Sequence, residues 1–441
     1  MPVLTSARRE LRPDRRQALS LRHDGERQLE SEAMRVLLIH QNFPGQYRHL
    51  APALAARGDQ LLALGAPTAP GLDGVPLLRY PLPPEAPPCH PWAADFQTKC
   101  LRAEAVAKLA VQCRDGGFHP DVVIGHPGWG ELLAIKDVFP AVPVLHQLEW
   151  VYAPEGGDCD FDPEFPLTSW QSRSRVRLRR AHQLLAFHDL DWAWAPTEWQ
   201  AASAPTPFRE RISVIHEGID TEAISPEGVA ELHLQRAGLT LRAGDEVLTF
   251  AVRNLEPYRG FHTFLRLLPE LQRRRPQLQV ILVGGDGVSY GPPPEGGGTW
   301  RQVFLKELAG QLDLSRLHFV GTVPHPVLHR LFRLCRAHAY LSYPFVLSWS
   351  LLEAMACGAV VVGSATPPVE EVIRDGDNGY LVEFFDRNAW LDRLEQVLAD
   401  PEGQRPIAAR ARQSVVERYD LRSVCLPQQL ALVDKVAAIR C

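Results

Sequence analysis

The chain has 441 residues, 45% hydrophobic and 22% charged, which suits two or three globular domains and excludes a disordered or fibrous protein. Its formal net charge of −5 argues against nucleic acid as the main partner, because duplex binders carry a basic surplus. The eight cysteines (Cys89, Cys100, Cys113, Cys159, Cys335, Cys357, Cys425 and Cys441) are scattered and lack paired metal-ligand spacing, so a reduced cytoplasmic protein without structural zinc is the simpler reading.

Residues 1–33 mix Arg with Asp and Glu around no apolar core, unlike a secretory signal. They read as a flexible arm, or as an upstream misread of a gene whose start is Met34. Nowhere does an apolar run approach the roughly 20 residues that span a bilayer. Val36-Leu37-Leu38-Ile39 predicts a strand buried on both faces, and Gly45 a turn before a helix from Tyr47 to Ala56. Strand Asp121–Ile124, a helix near Glu131–Val138 and strand Val142–Leu145 follow. The alternation resumes with Val247–Val252, helix Phe261–Leu271, Val280–Val283, Leu317–Val320 and Ala359–Val362. Strands alternating with helices call for parallel sheets covered on both faces. Breaks are expected near Pro196–Pro207 and Ile219–Pro226, and Arg405–Ile439 reads as helix interrupted at Pro427. The fold class is α/β, with two doubly wound halves that bind ligand outside their C-terminal strand ends.

A series of motifs in the second half carries more. Ile212-Ser213-Val214-Ile215-His216-Glu217-Gly218-Ile219-Asp220 is followed by Leu255-Glu256-Pro257-Tyr258-Arg259-Gly260 and Val283-Gly284-Gly285-Asp286-Gly287. Then come His318-Phe319-Val320-Gly321-Thr322-Val323, Leu352-Glu353-Ala354-Met355-Ala356-Cys357-Gly358, Glu371-Val372-Ile373-Arg374-Asp375-Gly376 and Asn378-Gly379-Tyr380. In this order they resemble glycosyltransferase family 4, the group 1 glycosyltransferases, over nearly all of residues 34–441 and more weakly in the first half. The resemblance implies the GT-B fold, two Rossmann-like domains facing each other across a cleft. It places an acceptor-side domain at 34–205, a nucleotide-sugar domain at 206–404, and helices at 405–441 that cross back to the first. It implies a bacterial retaining hexosyl- or deoxyhexosyltransferase of cell-envelope polysaccharide synthesis, needing no metal or cofactor. Its partners would be a nucleotide-sugar donor and a glycan, lipid-linked or small-molecule acceptor. It would work in the cytoplasm or at the inner face of the membrane.

The resemblance also assigns site residues. Arg259 stands where the family usually has a phosphate-binding Lys, and its planar fork suits a diphosphate. The family's other phosphate Arg aligns with Asn254, so Arg253 would supply that charge after a local backbone adjustment. Glu353 matches the carboxylate that contacts the ribose, although Ser350-Leu351-Leu352-Glu353 is also a capping-box pattern. Val323, Ser348 and Ser350 join the donor-binding set. Phe43-Pro44-Gly45-Gln46 offers backbone N–H groups to a phosphate at Gly45. His146, closing its strand, matches a His near the donor sugar; a plain hydrogen-bonded strand-end His is the alternative. The catalytic set is thus Arg259, His146 and Glu353.

Two further signals stand apart from these motifs. Asp158-Cys159-Asp160-Phe161-Asp162 contains two Asp-x-Asp triplets, metal ligands in a different transferase fold, and reads here as a solvated acidic or acceptor-facing loop. Arg173, Arg175, Arg177, Arg179 and Arg180 on a predicted helix read either as an exposed face or as a contact with anionic lipid. The chain also departs from the family. The first of its paired glutamates is replaced by Phe345, and the Gly pair before Glu371 by Pro367-Pro368. Both changes fall where the donor sugar should sit. They leave open a non-catalytic nucleotide-sugar-binding protein, or a nucleotide-sugar isomerase or hydrolase on the same fold.

Overall fold

The computed structural model describes residues 33–82 and 88–439, so the expectation for 1–33 falls, apart from Ala33, outside the described residues. The first sheet comprises β1 (Arg35–Ile39), β2 (Gln60–Gly65), β3 (Leu77–Arg79), β4 (Val122–Gly125), β5 (Val144–Gln147), β6 (Trp192–Ala195) and β7 (Ile212–Val214). All seven are parallel, in the order β3-β2-β1-β4-β5-β6-β7. Helices cover both faces, so Val36, Leu37, Leu38 and Ile39 are all fully buried, which is why the strand reads as an unbroken apolar run. The covering helices are α1 (Leu50–Arg57), α2 (Ala94–Asp115), α3 (Ile135–Val138), α4 (Trp170–Arg179), α5 (Ala181–His188) and α6 (Glu198–Ala202).

The expected helix at Tyr47–Ala56 is a 3₁₀ turn, Gly45–Arg48, followed by α1. Near Glu131–Val138 only α3 is helical. The first sheet also runs past the boundary expected at 205. Pro205 precedes a 3₁₀ turn, Thr206–Arg211, that feeds β7, so the Pro and Ala cluster, which includes α6, lies within this domain.

A hairpin of β8 (Glu231–Leu234) and β9 (Leu239–Arg242) precedes the second sheet. That sheet comprises β10 (Val247–Asn254), β11 (Gln279–Gly285), β12 (Leu317–Gly321), β13 (Ala337–Tyr340), β14 (Val361–Ser364) and β15 (Tyr380–Val382). Its order is β12-β11-β10-β13-β14-β15, again all parallel. The remaining helices are α7 (Phe261–Arg274), α8 (Trp300–Glu307), α9 (His325–Leu334), α10 (Trp349–Ala356), α11 (Pro367–Glu370), α12 (Arg387–Ala399), α13 (Arg405–Tyr419) and α14 (Leu426–Ala437). Strand order reverses between β1 and β4 in one sheet and between β10 and β13 in the other. Such switch points open a crevice at the C-terminal strand ends.

The helical C-terminal stretch breaks at Asp420, earlier than expected, and passes through a π-helical turn, Leu421–Cys425. Pro427 lies in the first turn of α14, where its missing N–H has no partner to lose. Leu432, Val433 and Val436 of α14 pack into the first sheet's core with Leu50 and Leu54, and Arg57 pairs with Asp434 at 2.7 Å. The chain therefore crosses between the domains twice, and the crossings are hydrogen-bonded: Leu421 N–H donates to Ile219 O (2.9 Å) and Ile219 N–H to Tyr419 O (2.8 Å). Gly218, at φ +92°, lets them close, since a Cβ there would lie 2.8 Å from Leu421 Cα.

Candidate functional site

Both switch points face one cleft of about 720 Å³. From the second sheet, Arg253 lines it at the end of β10. Neighbouring residues on a strand point to opposite faces, and Asn254 accordingly turns away, donating from Nδ2 to Ser289 Oγ at 2.6 Å. The register between β10 and β11 slips between Ala251 and Asn254, an irregularity that re-aims side chains at a sheet's end.

Arg259 closes the 3₁₀ turn Pro257–Arg259. Gly260 behind it has φ +67°, and a Cβ would meet Leu341 Cβ at 2.2 Å, so only Gly allows this approach. Arg259 is 5% exposed. Its Nη1 donates to Ser342 Oγ (2.8 Å) and Val346 O (2.9 Å), and it lies 5.0 Å from the Tyr290 ring and 5.9 Å from that of Phe345. Among the described residues no carboxylate pairs with it. Buried charges are ordinarily paired, so a cation left open to a cleft is a ready seat for an anion.

Glu353 sits in the second turn of α10 and lines the cleft. The helix is capped by Ser348, whose Oγ accepts from Ser350 N–H, so Ser350 and Glu353 do not form the capping box. Burial alone would raise the Glu353 pKa, but the imidazoles of His325 and His329 outweigh this and take it down to about 2. Val323, Ser348 and Ser350 also line the cleft. Phe345 is 3% exposed in an aromatic cluster with Trp150 (5.4 Å), Tyr258 (5.8 Å) and Tyr290 (4.9 Å). Pro367 and Pro368 open α11. Beyond that helix, the Glu371 carboxylate accepts the N–H groups of Glu198 and Trp199, capping α6 of the first domain.

On the facing wall, Gly45 lines the cleft at φ +49°, where a Cβ would stand 2.5 Å from the His40 ring. His146 is not brought to the cleft. It is buried within β5, paired with Gly125 and Ala193, and burial pulls its pKa down to about 3. The strand runs one residue further, to Gln147, before the chain turns out. The groups that do reach the cleft from these strand ends are His40 after β1, His126 after β4 and Glu149 after β5. His126 Nδ1 accepts from Gly128 N–H (3.0 Å), and its Nε2 lies 3.5 Å from Glu149 Oε2. For His40 and His126 the sequence signal is a polar residue at the end of an apolar strand; the same signal after Val142–Leu145 points to His146 and misses Glu149.

Glu217, in the segment joining the domains, also lines the cleft. It accepts from Gln147 Nε2 (3.0 Å) and Trp349 Nε1 (3.2 Å), and burial pushes its pKa up to about 7. A carboxyl with a raised folded pKa stabilises the protein fully below its unfolded value of about 4.3, and that contribution is lost as pH rises through 7. Glu217→Gln, isosteric with the protonated acid, should therefore raise the urea midpoint relative to wild type at pH 8 and leave it nearly unchanged at pH 4. An equal difference at both pH values would remove Glu217 as a group titrating near neutrality.

Of the acidic triplets only Asp160 is exposed; Asp158 and Asp162 are not solvated. Asp158 is buried and accepts from Trp150 Nε1 and Tyr258 OH (both 3.0 Å). Asp162, also buried, accepts from the Tyr343 hydroxyl and lies 2.8 Å from His262 Nε2. Tyr258, His262 and Tyr343 belong to the second domain, so this loop ties the domains together. Of the basic run, Arg173 pairs with Glu155 and Asp160. Arg179 stacks on Tyr152 at 4.2 Å and lines the cleft, while Arg175 and Arg177 are exposed.

Comparisons with known proteins bear on this cleft. Residues 57–224 match the family model described as glycosyl transferase family 4 group, and residues 238–414 that of glycosyl transferases group 1. A D-inositol 3-phosphate glycosyltransferase of Mycobacterium tuberculosis is 28% identical over 344 residues, covering 74% of this chain. The match spans only 62% of that relative's length. Sucrose-phosphate synthase from Thermosynechococcus elongatus superposes with a TM-score of 0.71 at 18% identity, over 92% of this chain and 100% of that one. HepE from Anabaena, solved in complex with UDP-glucose, superposes at 0.62 and 19% identity over 91% and 99%. At these identities the superpositions speak for the fold.

Proposed function

The chain belongs to glycosyltransferase family 4, the group 1 glycosyl transferases, and has their GT-B fold; from that premise we propose that it is a retaining, metal-independent glycosyltransferase acting on a nucleotide-diphosphate sugar. The observation that carries this is Arg259, a buried guanidinium open to the cleft with no carboxylate partner among the described residues. When the bond from sugar to diphosphate breaks, its electron pair goes to the phosphate oxygen. Arg259 and Arg253 would stabilise that charge. In front-face attack the acceptor oxygen bonds to the anomeric carbon from the side the diphosphate leaves, and its proton passes to the leaving oxygen. Glu353 would hold the ribose, and the N–H groups at Gly45 would face the phosphates. His126 and Glu149 would meet the acceptor.

No helix among the described residues is long and apolar enough to cross a membrane. Exposed Trp170 and Leu178 beside Arg175 and Arg177 on α4 support peripheral contact with anionic lipid, where each cation contributes about 1 kcal/mol.

The test is a thermal-shift panel of nucleotide sugars followed by product analysis. A donor at 100 times its Kd should stabilise the protein by about 2.7 kcal/mol, and with acceptor present the product should keep the donor's anomeric configuration. A donor that binds and reacts with no acceptor would leave the non-catalytic reading. An altered donor without acceptor would leave the isomerase or hydrolase. Metal independence is argued from Asp158 and Asp162, whose oxygens are taken by protein donors. Turnover should therefore survive EDTA, and complete loss restored by Mn²⁺ or Mg²⁺ would return this loop as a metal site.

A further inference from the structure

Helix α9 carries His325 and His329 four residues apart, on one face, and that face meets Glu353 of α10. His325 Nδ1 lies 3.4 Å from Glu353 Oε1, and His329 Nε2 lies 3.5 Å from Oε2. All three ligand atoms fall within 4.8 Å of one another. These separations are too long for charge-assisted hydrogen bonds, which run about 2.7–2.9 Å. A tetrahedral ion with bonds of 2.0–2.1 Å, by contrast, sets its ligands about 3.3–3.4 Å apart. His329 Nε2 is buried and makes no hydrogen bond, so it is a nitrogen with a free lone pair or proton at the centre of the group.

We propose that His325, His329 and Glu353 form a site for one divalent first-row transition ion, Zn²⁺ foremost, and that occupancy of this site excludes the nucleotide donor. Two imidazoles and a carboxylate suit Zn²⁺, Co²⁺ or Ni²⁺ better than Mg²⁺ or Ca²⁺, which favour all-oxygen shells. Three protein ligands leave a fourth position, and His325 and Glu353 aim it into the cleft. Arg48, whose charge acts on Glu353, works against the ion. The exclusion rests on the proposed role of Glu353: a carboxylate bound to metal no longer accepts the ribose hydroxyls. The ion is thus an inhibitor of the transferase and takes no part in its chemistry, and EDTA should leave turnover unchanged or raise it.

The test begins with chelator-treated protein and no nucleotide. Calorimetric titration with ZnCl₂, and visible spectra with CoCl₂, should give one equivalent bound and the intense absorption of four-coordinate Co²⁺. His325→Ala and His329→Gln should each weaken binding at least about tenfold, as loss of a ligand requires. Unchanged affinity in both variants, or a weak six-coordinate Co²⁺ spectrum, would overturn the site. UDP and GDP are then titrated with and without Zn²⁺. Zn²⁺ should weaken whichever nucleotide binds in wild type, and do so far less in His329→Gln. Equal nucleotide affinity with Zn²⁺ bound would overturn the exclusion. If neither nucleotide binds the metal-free protein, it is the donor-site reading that fails, and the metal site is judged on its own titration.

Discussion

Arg259→Ala should lower kcat by on the order of 10²–10³ while the protein remains folded, the loss expected when one preorganised donor to a developing oxyanion is removed. The guanidinium is held by Ser342 Oγ and Val346 O and by the Tyr290 and Phe345 rings. It is therefore fixed before the donor arrives and need not reorganise as charge builds on the leaving oxygen. Truncation exposes Ser342 and Val346 to cleft water, which can satisfy them, so the stability cost should be small beside the kinetic one. Arg259→Lys keeps the charge and loses the planar fork, and should fall between the two. Single-turnover rates with circular dichroism as the folding control decide it. Near-normal turnover in Arg259→Ala would confine this residue to packing.

How much of this is legible in the sequence depends on how local the signal is. Parallel strands buried on both faces advertise themselves, so Val36–Ile39 and Val280–Val283 read correctly as strands. Helix α2, 22 residues long, does not, because its buried positions are small and sparse: Ala103, Ala105, Val106, Ala110 and Cys113. Arg259 is legible because Pro257 and Gly260 bracket it in a turn. The choice between Arg253 and Asn254 turns on a register slip in β10 that no single residue announces. His146 misleads because a strand's end is uncertain by a residue or two. A shift of one residue reverses which side chains face the cleft, and here the cleft takes Glu149 and His126. Asp158 and Asp162 each have a local donor, Trp150 Nε1 and Glu164 N–H, but their partners in the second domain lie a hundred residues or more away, and nothing near them in the chain betrays that contact. Ser350-x-x-Glu353 matches a capping box by spelling alone, since the helix begins two residues earlier, at a cap provided by Ser348.

Phe345 should set the donor preference, and its removal should be felt in stability first. Buried among Trp150, Tyr152, Tyr258 and Tyr290, it resembles a core residue, and Phe345→Ala should cost about 3–5 kcal/mol by urea denaturation. Its effect on the donor follows from what the ring cannot do. A carboxylate here would accept hydrogen bonds from sugar hydroxyls, whereas a phenyl ring leaves each such hydroxyl unpaired at about 1–3 kcal/mol. Main-chain groups of Val346–Ser348 are already engaged in part. Val346 O already accepts from Arg259, Leu347 N–H donates to Gln200 Oε1, and Ser348 N–H donates to Tyr340 OH. A donor deoxygenated or methyl-bearing on this side should accordingly exceed a glucose-type donor in kcat/KM by roughly 5–150-fold for each hydroxyl removed. Phe345→Glu should erode that preference, and the ratio between the two donors in one preparation cancels any loss of folded protein. Best turnover with a fully hydroxylated hexose, with Phe345→Glu merely inactive, would mean that the cleft finds its acceptors elsewhere and that the ring serves packing alone.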